Sequence, residues 1–270
     1  MARLKKIVVE PKTKESGIID IPIKFTNVNK TAPTIPKVIA IIPARGGSKG
    51  ISDKNIKTVG GRVLLDWSIR QARNAQLDLI ISTDSDKYVD IINAMYPKEG
   101  YCPFLRPKNL GKDDTPTTNV ILHALDWLDE NRPGQYNTFI LLEPTAPLRK
   151  TEDITRSIAM MRDDTSIKAV VSVCDSHRMH PAISFRVNRG YLQPNTDMPH
   201  LRRQSLEPFF HLTGTIYLAN IDFYRQHKTF ITPETKTIVV EERQDLEVDI
   251  PSDLTIMECR IKEFVREGLM

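Results

Sequence analysis

Five consecutive apolar residues, Val38-Ile39-Ala40-Ile41-Ile42, lead directly into Pro43-Ala44-Arg45-Gly46-Gly47-Ser48-Lys49-Gly50. A buried strand therefore delivers the chain into a loop of glycine and positive charge. Glycine permits positive φ and lets backbone N–H groups come close to a ligand. Successive N–H groups in such a turn form an anion-binding nest, to which Arg45 and Lys49 add full charges. That chemistry suits a polyphosphate. The pattern is neither G-x-x-x-x-G-K-[ST], because Ile51 follows Gly50, nor G-x-G-x-x-G. Taken alone, the eight residues also read as an ordinary tight turn with solvated charges.

From residue 38 onward, apolar strands alternate with helical periodicity. The strands are expected at 38–42, 78–82, 137–143, 168–173, 214–219, 236–241 and 245–250, and the helices at 63–76, 85–95, 117–131, 151–162 and 253–267. This alternation predicts an α/β domain with a mainly parallel, Rossmann-like sheet flanked by helices. Asp84 or Ser85 is expected to cap the second helix, and Thr151 the fourth. Residues 175–212 break the alternation. There Ile183–Val187 and Tyr191–Gln193 flank Asn188-Arg189-Gly190, a hairpin with turn chemistry, read as a lobe inserted in the α/β domain. Residues 1–36, with scattered lysines and prolines, read as an N-terminal extension before the domain at 37–270, either a partly ordered arm or edge strand or a subunit or partner contact. The closing helix leaves no second catalytic domain expected after it.

Composition excludes several classes. Hydrophobic residues at 40% and charged residues at 27% fit a globular protein, and no apolar run approaches a membrane span. A net charge of +4 suits anionic small substrates and is too diffuse for a nucleic-acid partner. Cys102, Cys174 and Cys259 are odd in number and widely spaced, which fits neither disulfides nor zinc and points to a reducing cytoplasm. The histidines His177, His180, His200 and His211 show no metal-ligand spacing and read as structural or as residues of the inserted lobe on the substrate side.

The most pointed acidic feature is Asp245-Leu246-Glu247-Val248-Asp249-Ile250. In extended chain, Glu247 and Asp249 share a face while Leu246, Val248 and Ile250 take the other. Neighbouring carboxylates repel unless a cation neutralises them, and hard oxygen ligands favour Mg²⁺ with phosphates and waters. A half-exposed edge strand with solvated acids is the bland alternative.

Several stretches together resemble the acylneuraminate cytidylyltransferases, or CMP-sialic acid synthetases. They are Pro43–Gly50 with Lys54-Asn55, Ile81–Ser85, Phe104–Pro107, Glu143–Arg149, Arg203–Leu206, Thr213–Tyr217 and Glu247–Asp249. The blocks run across residues 38–254 in the family's order and spacing. The resemblance implies a nucleotide-diphosphosugar transferase-like fold and homodimerisation through the inserted lobe. It further implies transfer of CMP from CTP to a sialic acid-like nonulosonic acid, with pyrophosphate leaving.

By the same resemblance, Arg45, Gly46, Gly47, Ser48 and Lys49 hold the triphosphate, Lys54 and Asn55 lie at the nucleotide, and Arg106, Thr115 and Thr117 add contacts. Thr115 or Thr117 would equally cap the next helix, and Asn55 would otherwise be a plain loop residue. Glu247 and Asp249 hold Mg²⁺, with Arg45, Lys49 and Asp249 the catalytic set. Either a carboxylate of the pair or metal coordination serves the sugar's hydroxyl proton. Arg203, Gln204, Tyr217 and Glu143 face the sugar, Arg203 because its fork matches a carboxylate.

Four residues depart from the family pattern: Glu247 for the usual Asp, Glu143 for Gln, and Thr213 and His211 for Asn and Arg. The last three leave the donor pocket intact and open the sugar's identity to a legionaminic, pseudaminic or KDO type. A silent nucleotide-binding homologue is the rival from another class.

Overall fold

The computed structural model describes residues 35–176, 180–194 and 206–270. Its centre is a six-stranded sheet, in the order β10-β6-β9-β5-β1-β4. These strands are β1 (Val38–Pro43), β4 (Asp78–Ser82), β5 (Thr138–Leu141), β6 (Ala169–Asp175), β9 (Phe210–Asn220) and β10 (Lys236–Val239). β1 pairs in parallel with β4 and β5, and β10 with β6, whereas β9 runs antiparallel to both its neighbours. The expected mainly parallel sheet is present, with one reversed strand inside it.

The unbroken apolar character of β1 follows from its coverage. Ala40 and Ile42 pack into a cluster with Leu65, Ile69 and Ile154, while Ile39 and Ile41 pack into another with Ile121, Leu125 and Tyr224. Both faces of the strand are dry, so neither needs polar alternation. The first cluster lies under α1 (Leu64–Asn74), α2 (Asp86–Met95) and α4 (Thr151–Asp163). The second lies under α3 (Thr117–Asn131) and α5 (Ile221–His227). A third apolar cluster joins α6 (Pro251–Arg266) to Trp67 and to Val248 of the acidic segment.

Smaller elements complete the chain. β2 (Thr58–Val59) and β3 (Arg62–Val63) form a two-residue ladder. β7 (Phe185–Asn188) and β8 (Tyr191–Pro194) make a separate antiparallel hairpin, whose turn places Arg189 and Gly190 at φ 50 and 85. Two consecutive positive φ values match the turn chemistry read there.

Two local expectations are corrected. Residues 245–250 are not a strand: they run extended but unladdered, held to the rest by Val248 N–H donating to Thr145 O at 2.9 Å. The alternation itself holds, with Val248 fully buried and Glu247 and Asp249 turned to a cavity. Thr151 is the first residue of α4, not its cap. Of the two caps expected for α2, Ser85 serves, accepting from Tyr88 N. The short α5, capped by Asn220 accepting from Phe223 N, has no counterpart in the sequence reading.

Candidate active site

The loop leaving β1 and the segments after β4 and β5 gather at the same end of the sheet, the carboxyl end of its parallel strands, where α/β sheets place ligands. They surround a cavity of about 370 Å³. Arg45, Ser48, Lys54, Asn55, Arg106, Thr115, Thr117, Glu143, Glu247 and Asp249 all line it. These are ten residues from six separate stretches of sequence. Lys49 stands outside its lining with 84% of its side chain exposed, and Tyr217 lines an adjoining cavity instead. Arg203 and Gln204 lie outside the described residues.

The loop is shaped differently from the nest expected of it. None of Gly46, Gly47 and Gly50 has positive φ, and Gly46 N–H already donates to Asp84 Oδ1 at 2.9 Å. Close approach is what the site requires of glycine: a Cβ on Gly50 would lie 2.6 Å from the carbonyl oxygen of Asp249. The loop thus touches the acidic segment through bare backbone. Lys54 strengthens that junction, its Nζ donating to Val248 O at 2.8 Å and pairing with Asp249 Oδ1 at 3.1 Å. Asn55 is buried, and its amide donates to Arg45 O at 3.1 Å, so it staples the loop as well as lining the cavity. α3 has no side-chain cap, which removes the capping role for Thr115 and Thr117.

Two polar atoms at this cavity are buried and have no hydrogen-bond partner among the described residues: Ser48 Oγ and Arg106 Nε. Buried polar groups are almost always paired, so such orphans need a reason. Arg106 is 3% exposed, and its Nη2 reaches Asp84 Oδ1 at 3.4 Å. Burial lowers the guanidinium's pKa against the pull of Asp84. Both can donate, and an anion is the class of ligand that pairs with such groups.

On the opposite wall, acids crowd. Burial and the neighbouring charge of Glu247 push the Glu143 carboxyl up to about 7, despite Arg149 and Lys54. Burial and Asp249 raise Glu247 as well, while the N–H of Gly214 opposes the rise. Gly214 is again a glycine of approach, since a Cβ there would lie 2.2 Å from Glu247 Oε1. This excess of carboxylate fits a hard divalent cation, with open positions left to water and phosphate. Among the described residues no three His, Cys, Asp or Glu side chains converge as a ready cage.

Beyond Glu143 the floor opens into a second cavity of about 230 Å³, lined by Leu141, Tyr217, Tyr224, Phe230 and Ile231. Burial and the charges of Glu143 and Glu247 push the Tyr217 phenol up to about 12, so it stays a hydrogen-bond donor. Glu143 and Thr117 line both cavities.

Two of the departures read as sugar-side face elsewhere. Thr213 is buried and donates to Ser172 Oγ at 2.6 Å. His211 bridges Ser176 Oγ at 2.7 Å and Asp245 Oδ2 at 2.5 Å, which fastens the start of the acidic segment to β9. Neither lines a cavity described here; only Glu143 does.

The residues that sequence reasoning missed are mostly second partners. Arg149 is fully buried: its Nη1 donates to Gln71 Oε1 at 2.8 Å, its Nη2 to the carbonyls of Glu143 and Gly214 at 3.3 Å, and its Nε to Thr215 O. It fixes the backbone under both Glu143 and Glu247, and burial lowers its pKa to about 10. Asp84 and Asp113 hold the cations of the loop and of Arg106.

Fold and site together describe a nucleotide-binding α/β protein whose cations and acids share one cavity. Residues 39–258 match the sequence profile of a family described as Cytidylyltransferase, and the chain belongs to that family. It is 30% identical over 233 residues to the post-translational flagellin modification protein B of Campylobacter coli, covering 84% of this chain and 96% of that protein. It is 28% identical over 245 residues to the CMP-N,N'-diacetyllegionaminic acid synthase of Legionella pneumophila, covering 87% of this chain and 100% of that one. Similarity to the N-acylneuraminate cytidylyltransferase of Streptococcus agalactiae serotype III is 28% over 250 residues, 86% of this chain, which spans only 58% of that relative. Among solved structures, CMP:2-keto-3-deoxy-manno-octonic acid synthetase complexed with CTP superposes with a TM-score of 0.62 at 17% identity, over 84% of this chain and 99% of that one. That likeness bears on the fold. No described helix is long and apolar enough to cross a membrane.

Proposed function

We propose that this cytidylyltransferase couples CMP from CTP to the anomeric hydroxyl of a sialic acid-like nonulosonic acid and releases pyrophosphate. The observation that carries the reading is the pair of orphaned donors, Ser48 Oγ and Arg106 Nε, in a cavity faced by Glu247 and Asp249. Such a transfer is mostly positioning and charge neutralisation. Arg45, Ser48 and Lys49 hold the triphosphate tail and carry the charge that develops on the departing pyrophosphate. Arg106 and Asn55 bind along the nucleotide. Glu247 and Asp249 would hold Mg²⁺, which when bound neutralises phosphate charge and polarises the reacting oxygens.

The sugar lies on the Glu143 side. Its ring contacts Glu143, and its acylamino group enters the aromatic cavity under Tyr217 and Phe230. The similarity to synthases named for legionaminic and acylneuraminic acids supports a nine-carbon sugar of that kind. A homodimer through the hairpin lobe belongs to the same proposal, supported by the exposed Val187, Tyr191 and Leu192.

Pyrophosphate release from CTP and Mg²⁺ with a panel of neuraminic, legionaminic, pseudaminic and 3-deoxy-manno-octulosonic acids tests the reading. Turnover with a nonulosonic acid is expected; CTP binding without turnover of any sugar would leave a silent binding protein. Lys49→Ala is expected to lower kcat/KM about 100-fold. Near-normal turnover in that variant removes Lys49 from the site.

A further inference from the structure

One carboxylate in the cavity wall has no place among these roles. Asp113 follows Gly111 and Lys112 on the segment before α3 and lines the same cavity as Arg45 and Ser48. Its Oδ1 accepts from Arg45 Nη1, and its Oδ2 lies 2.9 Å from Lys49 Nζ. Arg45 and Lys49 are the two cations given above to the triphosphate tail. One acid thus divides its two oxygens between both, as a phosphate group does. A phosphate group bound on the Asp113 side of these two cations would compete with the carboxylate for the same N–H groups.

The two cations also disfavour each other, the charge of Arg45 acting against protonated Lys49 while Asp113 favours it. Asp113 contacts both like charges and offsets them together. The Asp113 side chain is 29% exposed, which leaves it free to swing into water when a stronger anion arrives. Hydrogen bonding from Lys49, followed by Arg45, holds its carboxyl below the usual carboxylate range, so it stays anionic near neutral pH.

We propose that Asp113 is an internal stand-in for the pyrophosphate group: it keeps Arg45 and Lys49 converged in the ligand-free protein, yields to the triphosphate tail of CTP, and returns to displace pyrophosphate after transfer. The proposal rests on the reading that this loop holds the phosphate tail. Partly exposed ion pairs are individually weak, so two of them set up a competition of about three- to tenfold in affinity. That is enough to speed release of a multiply charged product without preventing substrate entry.

The test is calorimetric titration of inorganic pyrophosphate, in magnesium-containing buffer without sugar, into the wild type, Asp113→Asn and Asp114→Asn. Product inhibition by pyrophosphate in the CTP reaction is measured alongside. Asp114→Asn removes the same charge from the neighbouring position without removing the shared carboxylate. Asp113→Asn is expected to bind pyrophosphate about three- to tenfold more tightly, with a matching fall in the inhibition constant, while Asp114→Asn stays within about twofold of wild type. Unchanged or weaker binding by Asp113→Asn overturns the proposal, because the acid then only orients its partners. Equal tightening in both variants overturns it too, since net charge alone then accounts for the gain. If none of the three proteins binds pyrophosphate, the phosphate-cradle reading falls and the proposal falls with it, a result distinct from the other two.

Discussion

Replacing Glu143 by Gln removes a buried negative charge while keeping the side chain's shape, and its effect must depend on pH in one direction. Burial and the charge of Glu247 raise the folded-state pKa of Glu143 from 4.5 to about 7. A carboxyl whose pKa is higher in the folded than in the unfolded chain favours folding most at low pH. That advantage is lost as pH rises from 4.5 through about 7. The full displacement corresponds to about 3 kcal/mol at about 1.4 kcal/mol per pH unit. Sharing of the field with Glu247 reduces this to about 2 kcal/mol for Glu143 alone. The amide does not titrate, so Glu143→Gln should match the wild type near pH 4.5 and exceed it above pH 7 by about 2 kcal/mol, or about 4–8 °C in Tm. Thermal unfolding of both proteins at half-unit steps between pH 4.5 and 8.5 measures this, and the difference curve cancels the groups that do not interact with Glu143, leaving Glu143 and its coupling to Glu247. A difference that is flat with pH, or a variant less stable than wild type at pH 8, refutes the account of acid crowding beneath the cavity.

Two further substitutions test how the acidic wall is held. Gly214→Ala places a methyl group 2.2 Å from Glu247 Oε1, the far end of a flexible side chain, so the acid should move and the fold persist. Activity is expected to fall about tenfold or more, with more Mg²⁺ needed for half-maximal rate and stability within about 1 kcal/mol of wild type; an unaltered Mg²⁺ dependence would remove Glu247 from the metal assignment. Arg149→Met strips donors from the carbonyls of Glu143, Gly214 and Thr215 and from Gln71. A loss of about 3–5 kcal/mol in urea unfolding is expected, and a loss below about 1 kcal/mol would show that this web is dispensable.

What could be read from the sequence, and what could not, divides along the range of the interactions involved. β1 was readable because coverage on both faces imposes an apolar run within five residues. The shared face of Glu247 and Asp249 was readable because alternation belongs to extended chain, laddered or not, and for the same reason the strand expected there was wrong. The positive φ expected of the loop glycines is absent, and the space left by Gly46 and Gly50 is filled by Ser85 and Asp249, residues distant in sequence. The pairings of Asp84 with Gly46, Asp113 with Arg45 and Arg149 with Gln71 span 38, 68 and 78 positions, and local pattern carries no trace of them. His211 and Thr213 were placed on the sugar side because they depart from a pattern, yet a departure also marks a rebuilt internal contact. Here their partners are Ser176, Asp245 and Ser172.

The acidic segment shows why the missing ladder matters for chemistry. A strand inside the sheet would have spent its backbone on two neighbours and its acids on two covered faces. Instead residues 245–249 are held at separate points from separate elements: Asp245 by His211, Glu247 by the N–H of Gly214, Val248 by Thr145, and Asp249 by Lys54. Each tether fixes a position and leaves the carboxylates of Glu247 and Asp249 turned to the cavity. The cations opposite are treated alike, Arg45 and Lys49 resting on Asp113, Lys54 on Asp249 and Arg106 on Asp84. The cations of the site are therefore neutralised from within, and on the proposed reading a triphosphate would bind there by exchanging partners. Its affinity is a difference between two sets of ion pairs, which is why removing an internal acid can tighten binding while removing a cation must weaken it.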